Sequence, residues 1–142
     1  RFFCDYSLYE TGGIILNWLD GVSANLLNKD LDGLWTRQKE ISNNISNLET
    51  PEYKSRRVSF ESELKSLMDN EKGTSSELTR EIKDVRPQID VSDDKSLRLD
   101  GNNVDIEKEN IDLARTQINY YYSLRELSDH FSRLRYAITE GK

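Results

Sequence analysis

Apolar residues recur along this chain at steps of three and four, and they do so in two separate series. The first runs Leu31, Leu34, Gln38, Ile41, Ile45 and Leu48, with Gln38 its one polar member. That spacing is the seam of a coiled-coil helix rather than the alternation of a strand. Trp35 widens the stripe. Upstream, Ile15, Leu19, Val22 and Leu26 repeat at the same steps and Leu27 leads on to Leu31, so the pattern reaches back to about residue 15. Asp20-Gly21 and Asp32-Gly33 interrupt it. An interior Gly costs about 1 kcal/mol against Ala, which predicts a break or kink near residues 28–32. The helix is expected to stop near Thr50-Pro51, because proline lacks an N–H and disfavours helix at the residue before it. Asn43, Asn44 and Asn47, poor interior helix formers, crowd the last turns.

The second series is longer. Ile106, Asn110, Leu113, Gln117, Tyr120, Leu124, Leu127, Phe131, Leu134 and Ile138 alternate steps of four and three, with no Gly or Pro until Gly141. Asp105 is placed to cap this helix, with Glu107, Lys108 and Glu109 in its first turn. Asp100, Gly101, Asn102 and Asn103 before it read as a turn. With its upstream extension the first pattern, Ile15 to Leu48, is nearly equal in length to the second, Ile106 to Ile138, and each carries a glutamine, Gln38 and Gln117. A buried polar pair can fix register in a coiled coil. Setting Gln38 opposite Gln117 in an antiparallel pair brings Leu48 beside Ile106 or Asn110, and Leu31 beside Leu124.

Residues 51–103 contain both prolines, Pro51 and Pro87, among many Ser, Asp, Glu and Lys. Phe60, Leu64, Leu67 and Met68 suggest a short amphipathic helix. Thr79, Ile82, Val85, Ile89 and Val91 suggest weak strand or extended chain, and residues 71–76 a loop. Such a segment is expected to bury little alone and to be mobile in the isolated protein. The chain therefore divides into residues 1–50, 51–103 and 104–142. The expected class is mainly α: two terminal amphipathic coiled-coil helices packed antiparallel and joined by a polar, partly irregular middle segment.

Composition narrows the function. Of 142 residues, 35% are apolar and 32% charged, against about 45–50% and 25% in ordinary globular chains. Material for a large independent core is short, while two-faced helices need only a narrow stripe. With 20 Lys and Arg against 26 Asp and Glu, the formal charge is -6. That argues against nucleic acid, which wants a basic face, and weakly against an anionic membrane. One cysteine, Cys4, and one histidine, His130, cannot make an internal disulfide or a Cys/His zinc site. There is no P-loop, dinucleotide fingerprint or nucleophile elbow. The longest apolar run, Ile14-Ile15-Leu16, cannot span a bilayer, and no cleavable secretory signal is recognisable. Tyr120-Tyr121-Tyr122 reads as packing at and beside the seam rather than a stacking platform. His130 reads as a surface histidine, and Asp93-Asp94 as a solvated loop without a complete calcium motif. No catalytic set, metal site or cofactor site emerges.

The first helix closes on Asn44-Ile45-Ser46-Asn47-Leu48-Glu49-Thr50-Pro51-Glu52-Tyr53-Lys54. This resembles the N-terminal signature of the bacterial flagellar rod and hook proteins, a helix ending in N-I-A-N-x-x-T-P-G-Y-K. The box Asp100-Gly101-Asn102-Asn103-Val104-Asp105 before a long terminal helix is similar to that of the proximal-rod members. The matches cover roughly residues 31–60 and 97–140. Asn44, Asn47, Thr50, Pro51, Tyr53 and Lys54 carry the first, and residues 100–105 the second. Ser46 replaces the usual Ala and Glu52 the usual Gly, so the turn after Pro51 is where a difference is expected. The resemblance implies a structural rod subunit, not an enzyme, without cofactor or small-molecule substrate. It implies export by the flagellar type III apparatus without a cleaved signal, and residence in the basal body within the cell envelope. The implied partners are itself, other rod subunits, and the membrane-ring, export-gate and adaptor proteins. Assembly would run through the two heptad series. The alternative is a helical adaptor or secretion chaperone, also small and acidic, which has no reason to carry both signatures.

Overall fold

A computed structural model describes residues 21–69, 74–94 and 98–140. Cys4, Ile15, Leu19, Asp20, Gly141 and residues 71–73 of the expected loop lie outside the described residues. The elements are α1 (Val22–Ser46), β1 (Arg56–Ser59), α2 (Glu61–Asp69), α3 (Ser75–Asp84), β2 (Gln88–Val91) and α4 (Ile106–Glu140).

Helix α1 runs without a break through Asp32-Gly33, contrary to expectation. The glycine is there for packing. A Cβ on Gly33 would stand 2.6 Å from three atoms of the Phe60 ring, so its absence lets the ring lie against the helix backbone. Phe60 and Leu34 belong to one buried cluster with Val58, Leu64, Ile82 and Val85. All of these except Leu34 come from the middle segment. That segment thus supplies most of this cluster, and it does so packed against Leu34, Val22, Leu26 and Tyr120 of the two terminal helices rather than alone.

The middle segment is also more regular than expected. Thr79 and Ile82, read as extended, lie on α3. The reason is a capping box: the Thr74 hydroxyl accepts from the Glu77 N–H, and the Glu77 carboxylate accepts from the Thr74 N–H. Leu78, Ile82 and Val85 then follow at helical spacing and turn one face to the core. Ile89 and Val91 do form a strand. It pairs antiparallel with β1 in the register Arg56↔Val91, Arg57↔Asp90, Val58↔Ile89 and Ser59↔Gln88.

Helix α4 is 35 residues long. Asp105 caps it, its Oδ1 accepting from the backbone N–H of Glu107 at 3.0 Å and Lys108 at 3.3 Å. It packs antiparallel to α1. Asn44 meets Glu109 at one end and Asp30 meets Ser123 at the other. Both spacings are 14 residues, 30 to 44 and 109 to 123, so one register holds along the pair. In it Gln38 and Gln117 line a common groove with Trp35 and Tyr121.

Candidate functional site at the junction of the terminal segments

Helix α1 ends at Ser46, several residues before Thr50-Pro51, so Leu48 lies in a turn rather than on the helix. The cause is a side chain from the far end of the chain. Asn102, with 0% of its surface exposed, donates through Nδ2 to the carbonyls of Asn47 (2.9 Å), Leu48 (3.0 Å) and Thr50 (2.9 Å). Asn47 is the C-cap, whose carbonyl has no partner within the helix, and Leu48 and Thr50 lie in the turn that follows. Asn102 Oδ1 accepts from the Val104 N–H at 2.8 Å, starting the approach to α4. One amide thus stops the first helix and starts the last.

Asn44, one turn earlier and still on the helix, is a second buried tie between the two ends. It too has 0% exposure. Its Nδ2 donates to Arg56 O (2.9 Å) and Glu109 Oε2 (3.1 Å). Its Oδ1 accepts from Arg56 N (2.9 Å) and the Tyr53 hydroxyl (3.2 Å). Both donors and both acceptor positions are used, and α1, β1 and α4 are tied at one point. Burial pushes the Tyr53 hydroxyl above the ordinary phenol range; Arg56 opposes this, while Glu40 and Glu109 add to it. The phenol therefore stays a donor at neutral pH.

Asn103 extends the junction to the sheet. Its Oδ1 accepts from Ser55 N at 2.7 Å, and its Nδ2 donates to the carbonyls of Ser92 and Asp94. Lys54 Nζ donates to Gly101 O at 2.8 Å. Glu52 N donates to Asp100 O at 2.8 Å. Two residues here have left-handed backbone: Gly101 at φ 77 and Glu52 at φ 60. The turn after Pro51 therefore keeps the conformation a glycine would favour, and Glu52 adopts it at a strain of about 1–2 kcal/mol.

The signature residues from both ends thus converge. Asn47 is held through its carbonyl, and its Oδ1 accepts from the Thr50 hydroxyl at 3.2 Å. Pro51 is exposed in the turn, and Val104 is buried at the entry to α4. The heptad residues divide. Leu34, Ile41 and Leu134 are buried; Leu31, Gln38, Ile45, Leu48, Leu113, Tyr120 and Leu127 are half-buried; Gln117, Leu124, Phe131 and Ile138 are exposed. The column of α4 that turns inward includes Glu109, Thr116, Ser123 and His130, spaced by seven and one position before Asn110, Gln117, Leu124 and Phe131. Among them Glu109 and Thr116 are buried, and His130 Nδ1 is buried without a hydrogen bond. Glu40, Glu109 and Thr116 were missed from sequence. For Glu109 and Thr116 the seven-residue polar repeat on α4 was the available signal, masked by the stronger apolar series beside it; Glu40, on α1, had none.

The chemistry of this junction is neutral amides satisfying backbone groups. It fixes geometry and presents no nucleophile paired with a base. Among the described residues, no group of three or more His, Cys, Asp or Glu could hold a metal ion. No described helix is long and apolar enough to cross a membrane.

A hairpin of long terminal helices, locked where an N-terminal asparagine signature meets a C-terminal one, is what the flagellar rod and hook class is expected to show. The chain is 35% identical over 113 residues to flagellar basal body rod protein FlgB of Bacillus subtilis (strain 168), covering 75% of this chain and 84% of that one. It is 32% identical over 129 residues to the FlgB of Borrelia hermsii, covering 82% and 96%. With the FlgB of Escherichia coli (strain K12) the identity is 28% over 118 residues, covering 74% and 84%. No family model matches the chain. The chain belongs to the FlgB family of flagellar basal body rod proteins.

Proposed function

We propose that this protein is a structural subunit of the flagellar basal-body rod, exported by the flagellar type III apparatus and assembling through its two terminal helices. Its partners are further copies and other rod subunits, together with the membrane-ring, export-gate and adaptor proteins at the rod base. The observation that carries this reading is the face left open on the helix pair. Trp35 on α1 is 61% exposed, and Leu124, Phe131 and Ile138 on α4 are 44%, 44% and 49% exposed. Leu124, Phe131 and Ile138 follow the heptad series read from sequence, so α4 keeps exposed apolar residues of that series after pairing with α1, and Trp35 is exposed beside the series on α1. A second amphipathic helix is the occupant such a seam fits. Family membership supplies the setting.

The test is deletion of the gene followed by imaging of basal bodies. Absence of the rod, restored by the wild-type gene but not by the double variant Leu124→Asp, Phe131→Asp, is the expected result. The variant sites are exposed, so its isolated monomer should melt like the wild type. Intact rods in the deletion strain would overturn the function. Normal rods with the double variant would overturn assembly through this face.

A further inference from the structure

Among the described residues the sheet has two strands, hence two outer edges, and the fold treats them differently. Ser92 N donates to Ser55 O at 2.8 Å, so these two residues form a hydrogen-bonded pair that continues the β1–β2 register. Bonded and non-bonded pairs alternate along an antiparallel ladder. Arg57↔Asp90 and Ser59↔Gln88 are therefore bonded pairs, and the backbone groups of Arg56, Val58, Ile89 and Val91 point outward from the sheet. On β1 these outward groups are taken up by α1. Asn44 holds both the N–H and the carbonyl of Arg56, and Arg37 Nη2 donates to Val58 O at 2.8 Å. On β2 the outward groups are the N–H and C=O of Ile89 and of Val91. Nothing outside the sheet bonds to them among the described residues.

The side chains on this open edge point the same way. Residues paired across an antiparallel ladder share a face. Ile89 stands opposite Val58 and Val91 opposite Arg56, so both lie on the core face of the sheet. Val58 is buried, yet Ile89 and Val91 are 47% and 57% exposed. The apolar face thus runs on past its cover. Asp90, between them, lies on the other face and is exposed. Its cross-strand neighbour Arg57 is committed to Asp94 at 2.8 Å, and Asp90 has no ion pair among the described residues. An edge with free backbone groups and exposed β-branched side chains is a template for a further strand.

We propose that β2 is a docking edge for an extended segment of a different polypeptide, in which a lysine or arginine stands between two apolar residues. Backbone bonds to Ile89 and Val91 hold the segment. Its apolar side chains extend the face of Ile89 and Val91, and its cation meets Asp90 on the other face. Charge selects this occupant over a second copy. Edge-to-edge pairing about a two-fold axis, with Ile89 opposite Val91, sets the two copies of Asp90 directly against each other, and like charges in that position are unfavourable. Shifting the pairing by two residues in one direction sets Val91 against Pro87, which has no N–H. Shifting it in the other sets Ile89 against Asp93. The docking edge stands on the sheet alone, so it and the rod function can fail separately.

The experiment uses the full chain, isotope-labelled for NMR, and two acetylated, amidated peptides: Ser-Thr-Val-Lys-Val-Thr-Ser, and the same peptide with Asp in place of Lys. The lysine peptide should slow amide exchange at Ile89 and Val91, while the Asp90 and Ser92 amides, already in the ladder, keep their rates. It should bind at least about 5-fold more tightly than the aspartate peptide. Asp90→Lys should invert that preference, and Asp90→Asn, which keeps the shape and repels neither peptide, should abolish it. The site is exposed, and an unchanged exchange rate at the Ser92 amide checks that each variant keeps its ladder.

No slowing at Ile89 and Val91 up to the solubility limit of the lysine peptide would overturn the docking edge. Equal affinity for the two peptides, or an unchanged preference in both Asp90 variants, would overturn the basic occupant. Slowing at Ile89 and Val91 that grows with protein concentration and needs no peptide would make a second copy the occupant and overturn the proposal.

Discussion

Asn44→Ala isolates the energetic weight of the junction. The substitution deletes four hydrogen bonds, two to the Arg56 backbone and one each to Tyr53 and Glu109. An orphaned buried polar group costs about 1–3 kcal/mol. Arg56 is exposed and Tyr53 half-buried, so water can reach part of what they lose. Glu109 is buried and loses a donor it has no means of replacing. Counting about two fully orphaned groups gives a loss near 3 kcal/mol, a large share of the roughly 5–15 kcal/mol that stabilises ordinary domains. With a urea slope of about 2 kcal/mol/M, the unfolding midpoint should fall by about 1.5 M at unchanged slope. Ser42→Ala, an exposed site on the same helix, is the control and should move stability by no more than about 0.5 kcal/mol. Asn44→Asp should be at least as damaging as Ala, since it sets a carboxylate against Glu109. Adding Glu109→Gln should then recover at least about 1 kcal/mol, because the new amide can donate to the aspartate. An Asn44→Ala midpoint within about 0.3 M of wild type, or no recovery in the double variant, would refute the reasoning.

Gly33→Ala should destabilise by about 1–3 kcal/mol despite its better helix propensity, because the methyl meets the Phe60 ring; pairing it with Phe60→Leu should return part of the loss in thermal melts. Glu52→Gly should stabilise by about 1 kcal/mol, since the φ of 60 suits glycine and strains glutamate; a loss of stability would mean the Glu52 side chain contributes more than the strain it imposes. Glu109→Gln should raise stability at neutral pH. The folded pKa of Glu109 lies above its unfolded value, so the native state binds the proton more tightly and stability falls as pH rises from the ordinary glutamate range through the raised value. Glu61 has the opposite sign: burial works against ionisation, but the Arg37 hydrogen bond and backbone donors outweigh it and lower the pKa. Its contribution is present above the ordinary value and is lost as pH falls through the lowered one. The variant's excess stability over wild type should therefore shrink on acidification, and a constant difference would contradict the assignment.

The long elements were legible because heptad repeats are a local signal. Residues 106–138 could be assigned as helix with no knowledge of what they pack on, and Asp105 declared its start. The middle segment was harder because its order is tertiary. Phe60 packs on Gly33, so a residue that reads as a helix breaker serves as a contact surface for a ring 27 positions away (33 to 60). The end of α1 was misplaced for a related reason. Proline explains why a helix cannot pass residue 50, whereas the stop at residue 46 is imposed by Asn102, and the 47–102 separation is invisible to any local rule. The signature asparagines could be flagged by resemblance, but their reciprocal roles could not. An Asn near a helix end is ordinarily a tolerated cap, and only the geometry gives Asn44 four partners.

The division of each helix into two seams has an energetic logic. The inward column of α4, with Glu109, Thr116, Ser123 and His130 among its members, gains little from dehydration, and its polar groups fit only in one register. A slip of α4 by one residue would strand Glu109 from Asn44 and Ser123 from Asp30 together. The outward column is apolar from Leu124 on, through Phe131 and Ile138, and not selective about register in the monomer, and each fully covered Leu or Phe is worth about 1.5–3 kcal/mol. On the proposed reading, that second quantity is released only when a neighbour arrives. A partner that binds the folded chain and not the unfolded one raises stability by mass action. On the same proposed reading, the hairpin is modestly stable when dilute and firmly held once packed. Replacing Glu109, Thr116, Ser123 and His130 by leucine, and Leu124, Phe131 and Ile138 by polar residues, would give a more stable monomer that slips more readily in register and has no apolar face for its neighbour.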